Sequence, residues 1–236
     1  MSKKILLSNG CSWVNGAGLQ DRESERWSYH LAKKLNMEDI NLSSEGASND
    51  KILRTTIDWI TENKEKISEI IVVIGWTQIT RMEIFNDITK EWETQNFVSF
   101  GDGSEDLRSE SFYEEQSKHM IRQAHDYTPN EIWWRVYLKY YFSLEQNQID
   151  FYKILLYTQS ILKSFGIEYY FFSSFGSVKL SDIEITKMLD YKNISDYSMI
   201  KYVSSALNKQ EDYSDENGHP GPISHKVWAD FLFEKI

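Results

Sequence analysis

Two residues able to do acyl-transfer chemistry stand near opposite ends of the chain. Ser12 lies just past the first apolar run, in Ile5-Leu6-Leu7-Ser8-Asn9-Gly10-Cys11-Ser12-Trp13, and His219 lies in Asp215-Glu216-Asn217-Gly218-His219-Pro220, ahead of the last helical pattern. A hydroxyl nucleophile needs a base, and an imidazole needs a carboxylate to fix its tautomer, so the two segments supply a full triad if the fold joins them. Taken alone, Ser12 reads as a capping serine and His219 as a loop histidine.

The elements that must position these residues follow from periodicity. Short β runs alternate with helical stripes, which predicts crossover units and a mostly parallel sheet. Ile5 to Ser8 reads as the first strand, followed by a helix whose apolar face is Trp27, Leu31 and Leu35. Asp39 to Leu42 is a weaker strand, and Leu53, Ile57 and Ile60 make a stripe after Ser48-Asn49-Asp50, any of which can cap it. Glu69 to Ile74 is a near-continuous β-branched run, expected in a central strand covered on both faces. Ile154, Tyr157, Ile161, Leu162 and Phe165 predict a helix ended at Gly166, leading into a strand over Ile167 to Phe172. A helix is expected around Met199 to Leu207, and another after Pro222 and Ser224 with Val227, Trp228, Phe231 and Leu232 as its apolar face. Residues from about 83 to 130 lack sustained periodicity and are expected to form an insertion that leaves the sheet, a lid over the site.

Composition bounds the function. The 236 residues, 41% hydrophobic, suit one well-buried α/β domain over 1–236. A net charge of -10 without a basic block argues against nucleic acid as a partner. Aromatic residues make up 14% of the chain, which suits stacking on sugar rings as well as core filling. The single cysteine, Cys11, excludes an intrachain disulfide and a cysteine metal cluster, and next to Ser12 it reads as a small buried residue. The apolar run after Lys3 and Lys4 is too short for a signal-peptide core and nothing approaches a membrane span, so a cytoplasmic protein without membrane contact is expected. Asp102, Asp106, His119, His125 and Asp126 lie in an irregular polar stretch without ligand spacing, and no metal is expected there.

In an open parallel sheet, ligands bind outside the carboxyl ends of the strands. That rule gathers Gly10 and Ser12 after the first strand, Gly46 and Asn49 after the second, Gly75-Trp76-Thr77 after the central strand, and the acid and histidine near the C terminus. Gly46 lets a backbone N–H approach a developing oxyanion, and Ser12 at its turn offers its own N–H. The Gly-x-Ser-x-Gly elbow of the α/β-hydrolases is absent, since Val14 takes the last glycine's place. A flavin or nucleotide site is disfavoured because the first loop lacks a phosphate-cradling glycine pattern.

The same residues carry a family resemblance. Gly10-Cys11-Ser12-Trp13 resembles block I of the SGNH (GDSL-like) hydrolases, with Cys11 where aspartate is usual. Asn41 to Gly46, continued as Ala47-Ser48-Asn49, is similar to the block II glycine loop, and His219-Pro220 followed by His225 and an amphipathic helix is similar to block V. The resemblance spans roughly residues 4 to 81 and 167 to 236, and the stretch from Trp76-Thr77 to Arg81 also resembles a subgroup from tailed phages and bacteria. It implies a flavodoxin-like three-layer α/β/α sandwich and a cofactor-free serine esterase or deacetylase, often acting on acylated sugars, with Ser12 as nucleophile and His219 as base. His225, at the start of the helix, reads as structural.

Two positions depart from the family pattern. Block III carries an asparagine two residues after its glycine; here that position is Thr77, leaving Thr77, Asn49 or Gln78 to supply the third oxyanion donor. Removing such a donor costs about 10² to 10³ in turnover. Block V places an aspartate three residues before histidine; here that position is Glu216, with Asp215 one further back, and either can orient the imidazole. Trp13, Trp76 and Arg81 are expected to line the substrate side, although core packing explains either tryptophan equally well. The expected function is deacylation, most simply deacetylation, of a carbohydrate or similar polar ester. The alternative is a catalytically weak module kept for glycan binding or as part of a larger particle such as a virion.

Overall fold

The computed structural model describes residues 4–96, 140–176, 184–208, 212–214 and 218–236. Their order is β1 (Ile5–Gly10), α1 (Ser12–Asn15), α2 (Arg22–Glu25), α3 (Trp27–Leu35), β2 (Glu38–Asn41), α4 (Asn49–Glu62), β3 (Ile70–Trp76), β4 (Arg81–Asn86), β5 (Glu91–Asn96), α5 (Leu144–Ser164), β6 (Glu168–Ser173), α6 (Met199–Ala206) and α7 (Pro222–Phe233). Four strands form a parallel sheet in the order β2-β1-β3-β6. The β-branched run of β3 is central, as its pattern predicts, and β1 is buried along its whole length.

The chain steps outward from β1 to β2, then returns past β1 to β3 and on to β6. Right-handed crossovers therefore put α3 on one face and α4 and α5 on the other. Helix packing agrees: α7 lies on α3 with α6 beside it, and α4 lies against α5. The result is the expected three-layer α/β/α arrangement. The reversal between β1 and β3 is a topological switch point, the place beyond the strand ends where open parallel sheets bind their ligands.

Several boundaries and faces differ from expectation. β1 and β3 each run two residues further, pairing Gly10 with Gly75 and Trp76 with Ser173, so Trp76 belongs to the strand. In α4 the buried face is Asn49, Ile52, Thr56 and Ile60, one residue round from the expected stripe through Leu53 and Ile57. In α5 it is Phe151, Tyr152, Leu155, Thr158, Gln159 and Leu162, while Tyr157 and Phe165 are exposed. Polar side chains on these faces bond backbone: Thr158 Oγ1 donates to the Ile154 carbonyl, and Gln159 exchanges two hydrogen bonds with the Asp190 backbone.

The segment expected to be irregular from residue 83 opens with a regular hairpin. β4 and β5 pair antiparallel apart from the main sheet, with Phe85 opposite Trp92. Glu83, its side chain only 1% exposed, takes a bidentate pair from Arg54 of α4, and the same guanidinium lies 4.9 Å from the Trp92 ring centre. This clamps the hairpin along α4. The remainder of the expected lid, residues 97 to 130, lies outside the described residues, as do the acidic and histidine residues weighed there as metal ligands. Among the described residues, no helix is long and apolar enough to cross a membrane.

Candidate active site

Ser12 opens α1 directly beyond β1, in a turn seated on a glycine notch. A Cβ on Gly10 would come within 2.3 Å of Val14 Cγ2 and 2.7 Å of the Gly75 carbonyl, and one on Gly75 within 2.5 Å of the same methyl. Only glycine at both positions lets Val14 drop between the strand ends, which brings the Ser12 turn against the sheet. Gly16 closes α1 in the left-handed region, φ 79°, its N–H donating to the Ser12 carbonyl. Ser12 is 6% exposed. Neither its N–H, nor its hydroxyl, nor the Gly46 N–H finds a hydrogen-bond partner among the described residues.

Neighbouring loops are knit to this turn one after another. The β2 loop joins it through Asn15 Nδ2 to the Ser43 carbonyl, 3.0 Å, and Ser44 N–H to the Gly10 carbonyl, 3.2 Å. At the tip of that loop Gly46 takes φ 71°, in the left-handed region, and neighbouring Glu45 pairs with Arg22 at 2.7 Å. The β2 and β3 loops are joined by Asn49, whose Oδ1 accepts from Thr77 N–H at 2.9 Å and whose Nδ2 donates to the Thr77 carbonyl at 3.3 Å. Ser174 after β6 donates its N–H to the Trp76 carbonyl at 2.8 Å, and Phe175 stands between the Trp13 ring, 4.9 Å away, and the Arg81 guanidinium, 5.6 Å away. Arg81 Nη1 also reaches the Ala47 carbonyl at 3.4 Å. The C-terminal loop is tied to the β1 turn: Ser214 Oγ donates to the Ala17 carbonyl at 2.9 Å, and Ser214 N–H to the His219 carbonyl at 2.8 Å.

The expected site residues thus fall into three groups. Ser12, Gly46, Thr77, Asn49, Trp13, Arg81 and His219 lie outside the parallel strands, on segments that these contacts tie together. Trp76 does not: at 1% exposure it packs edge-on to Phe151 and Phe171 inside the core. Asp215 and Glu216 lie outside the described residues. Asn49's amide is committed to the Thr77 backbone, whereas the Thr77 hydroxyl is buried and unpartnered. Asn9, Ser43, Phe175 and Ser214 were not foreseen. Asn9 could have been, because a carboxamide inside an apolar strand run demands partners. Its Nδ2 donates to the Ile52 carbonyl and to Thr55 and Thr56, and its Oδ1 accepts from Gly10 N–H, fixing the end of β1 against α4.

Two other places attract attention without converging chemistry. His225, fully buried, accepts the Trp27 N–H at Nδ1 and is structural; burial, with the nearby His30 adding to it, pushes its pKa down to about 3. A groove of about 570 Å³ between α3 and the edge strand β2 contains Arg26, Tyr29, Lys33 and Asp39. Burial raises the Asp39 carboxyl, opposed by Arg26 at 3.0 Å and by the Ser28 hydroxyl, which donates to it at 3.2 Å. Among the described residues no cluster of His, Cys, Asp and Glu could hold a metal ion.

A family described as "Family of unknown function (DUF6071)" matches residues 14–231. The chain belongs to this family. The match starts just past Ser12 and contains Gly46, Thr77 and His219. A comparison with curated proteins gives no match. Among solved structures, TesA is similar over 98% of this chain and 97% of its own, with TM-score 0.50 and 11% identity. A lipolytic protein of the G-D-S-L family from Veillonella parvula has TM-score 0.47 and 12% identity, covering 98% of this chain and 96% of that one. An acetyl xylan esterase from Butyrivibrio proteoclasticus has TM-score 0.48 and 12% identity, covering 99% of this chain and 63% of that one. At such identities the likeness is one of fold, and that fold is the mixed α/β architecture of the SGNH hydrolases.

Proposed function

We propose that the chain is a serine hydrolase of the SGNH type that removes an acyl group, acetyl in the simplest case, from a carbohydrate or similar polar ester. Ser12 Oγ attacks the ester carbonyl while a His219 ring nitrogen takes the hydroxyl proton. The N–H groups of Ser12 and Gly46 hold the oxyanion of the tetrahedral intermediate. Thr77 serves as third donor once its shielded hydroxyl turns toward the crevice. Collapse expels the alcohol, which receives the proton from His219, and leaves acyl-Ser12; water, deprotonated by His219, then releases the acid and restores the serine. Asp215 or Glu216 orients the imidazole, and no cofactor enters. Trp13, Phe175 and Arg81 form one wall of the substrate side.

The observation that supports this reading is the series of cross-loop hydrogen bonds at the switch point, which ties the turn carrying Ser12 to the loops carrying Gly46 and Thr77 and, through Ser214, to the backbone of His219. In apo enzymes the nucleophile–base hydrogen bond commonly tightens only around substrate. The test is hydrolysis of p-nitrophenyl acetate and labelling by a fluorophosphonate probe, for wild type and Ser12→Ala with matched circular dichroism. Turnover and labelling confined to the wild type are expected; equal rates in the two proteins sink the assignment.

A second reading, a glycan-binding or structural module of a larger particle with little turnover, is favoured by Thr77 in place of the oxyanion asparagine and by the engagement of Asn49 elsewhere. Binding to acylated glycans that Ser12→Ala leaves unchanged, without turnover, is its expected signature. Prompt labelling of Ser12 counts against it.

A further inference from the structure

We propose that Ser214 is a positioning residue that couples the nucleophile turn to the base loop, an inference that rests on the serine-hydrolase reading above. Three hydrogen bonds lead from the backbone of Ser12 to that of His219. Ala17 N–H donates to the Ser12 carbonyl at 3.0 Å, Ser214 Oγ donates to the Ala17 carbonyl at 2.9 Å, and Ser214 N–H donates to the His219 carbonyl at 2.8 Å. A serine hydroxyl has one proton to give. The Ala17 carbonyl is the nearer acceptor, since the His219 carbonyl lies 3.3 Å from the same oxygen. One side chain thus fastens segments 197 residues apart in sequence.

The segment that Ser214 fastens is braced by its own hydrogen bonds. Gly221 N–H donates to the Asp212 carbonyl at 2.7 Å, and Tyr213 bridges Pro220, making a short antiparallel ladder with the Ser214–His219 bond. The Asp212 carboxylate accepts from Ser224 N–H in the first turn of α7, capping a helix whose own N-cap, Gly221, has no side chain to do so. A Cβ on Gly221 would meet that carboxylate at 2.4 Å, so the close approach requires glycine. α7 is in turn fixed on α3 through His225 and the Trp27 N–H, 3.1 Å. On the other side, the Ser12 turn is seated in the Gly10–Gly75 notch. Two separately braced segments therefore carry nucleophile and base, and the Ser214 hydroxyl ties one to the other. Its partners are backbone carbonyls, so its removal alters alignment rather than substrate contact.

Misplacement of reacting groups by about 1 Å costs up to about 10²-fold in rate, and loss of one tie is expected to cost about tenfold. In Ser214→Ala, kcat for p-nitrophenyl acetate and the rate of fluorophosphonate labelling should fall by about that factor with KM and circular dichroism unchanged. Ser214→Thr, which keeps the hydroxyl, should recover most of the loss. Independently of turnover, amide hydrogen exchange in peptides spanning Ala17 and in those spanning His219 should accelerate together in Ser214→Ala. Wild-type labelling rates in Ser214→Ala, a loss that Ser214→Thr does not restore, or unchanged exchange at Ala17 each overturn Ser214's role while leaving the hydrolase reading intact. Wild type reacting no faster than Ser12→Ala overturns that reading and, with it, the role assigned to Ser214.

Discussion

At the carboxyl end of the sheet, polar side chains bridge loop to loop; along the seam between α3 and α7, large rings pack against one another, edge-on and stacked. Trp228 sits among Phe172, Tyr202 and Phe231, with Trp27 on the far side of Phe172. The indole nitrogens of Trp27 and Trp228 and Nε2 of His225 are buried there without a hydrogen-bond partner among the described residues. The seam gains its stability from apolar area, whereas at the strand ends Asn15, Asn49 and Ser214 serve as struts between loops, and the hydroxyls of Ser12 and Thr77 take no such part among the described residues. Two histidines in one short stretch of chain fall on opposite sides of this divide: His219 on a half-buried loop at the crevice, His225 sealed in the seam.

Substitutions can separate the two regions. Ser12→Ala is expected to remove turnover by about 10³-fold or more while leaving the urea unfolding midpoint unchanged, measured on the same preparation. Trp228→Ala should do the converse, costing about 3–5 kcal/mol of unfolding free energy with activity per folded molecule retained. Gly10→Ala tests where the regions meet: overpacking against Val14 should cost about 1–3 kcal/mol and also slow labelling of Ser12, because the turn must move. A destabilised Gly10→Ala protein with wild-type labelling would show that the notch serves the core alone.

The smallest effect concerns acid. His225 has its pKa lowered from 6.5 to about 3, chiefly by burial, so the unfolded chain binds a proton at pH values where the folded protein does not. Stability from this group is then present above pH 6.5 and is lost as the pH falls below it, by on the order of 1 kcal/mol at pH 5.5. His30, lowered by burial and by Lys226, adds in the same direction. Replacing His225 by Gln should flatten the pH dependence of the unfolding midpoint between pH 7 and 5.5; an unchanged slope would place the acid sensitivity elsewhere.

How much of this was legible in the sequence depends on which partner each residue uses. β3, β6 and α7 were readable because apolar side chains meet apolar neighbours, and periodicity reports that. The faces of α4 and α5 were displaced because Thr56, Thr158 and Gln159 are buried on local or long-range hydrogen bonds that a polarity pattern assigns to solvent. The hairpin went unseen because its strands are short and acidic, and its anchor is an ion pair between Arg54 and Glu83. Beyond the sheet, strand-end topology assigned Ser12, Gly46 and Thr77 to the loops after β1, β2 and β3, and the structure joins those loops by hydrogen bonds. The struts were invisible, since Asn49–Thr77 and Ser214–Ala17 join side chain to backbone across long stretches of sequence.

The glycine notch sets an order of events on unfolding. A turn whose Val14 is locked between the ends of β1 and β3 opens only when those strands separate, whereas the rim formed by Glu45, Gly46 and the loop around Ser214 is held by exposed or half-exposed bonds and opens locally. With rising denaturant, the base and the oxyanion donors should lose alignment first, while Ser12 keeps its place until the sheet itself gives way.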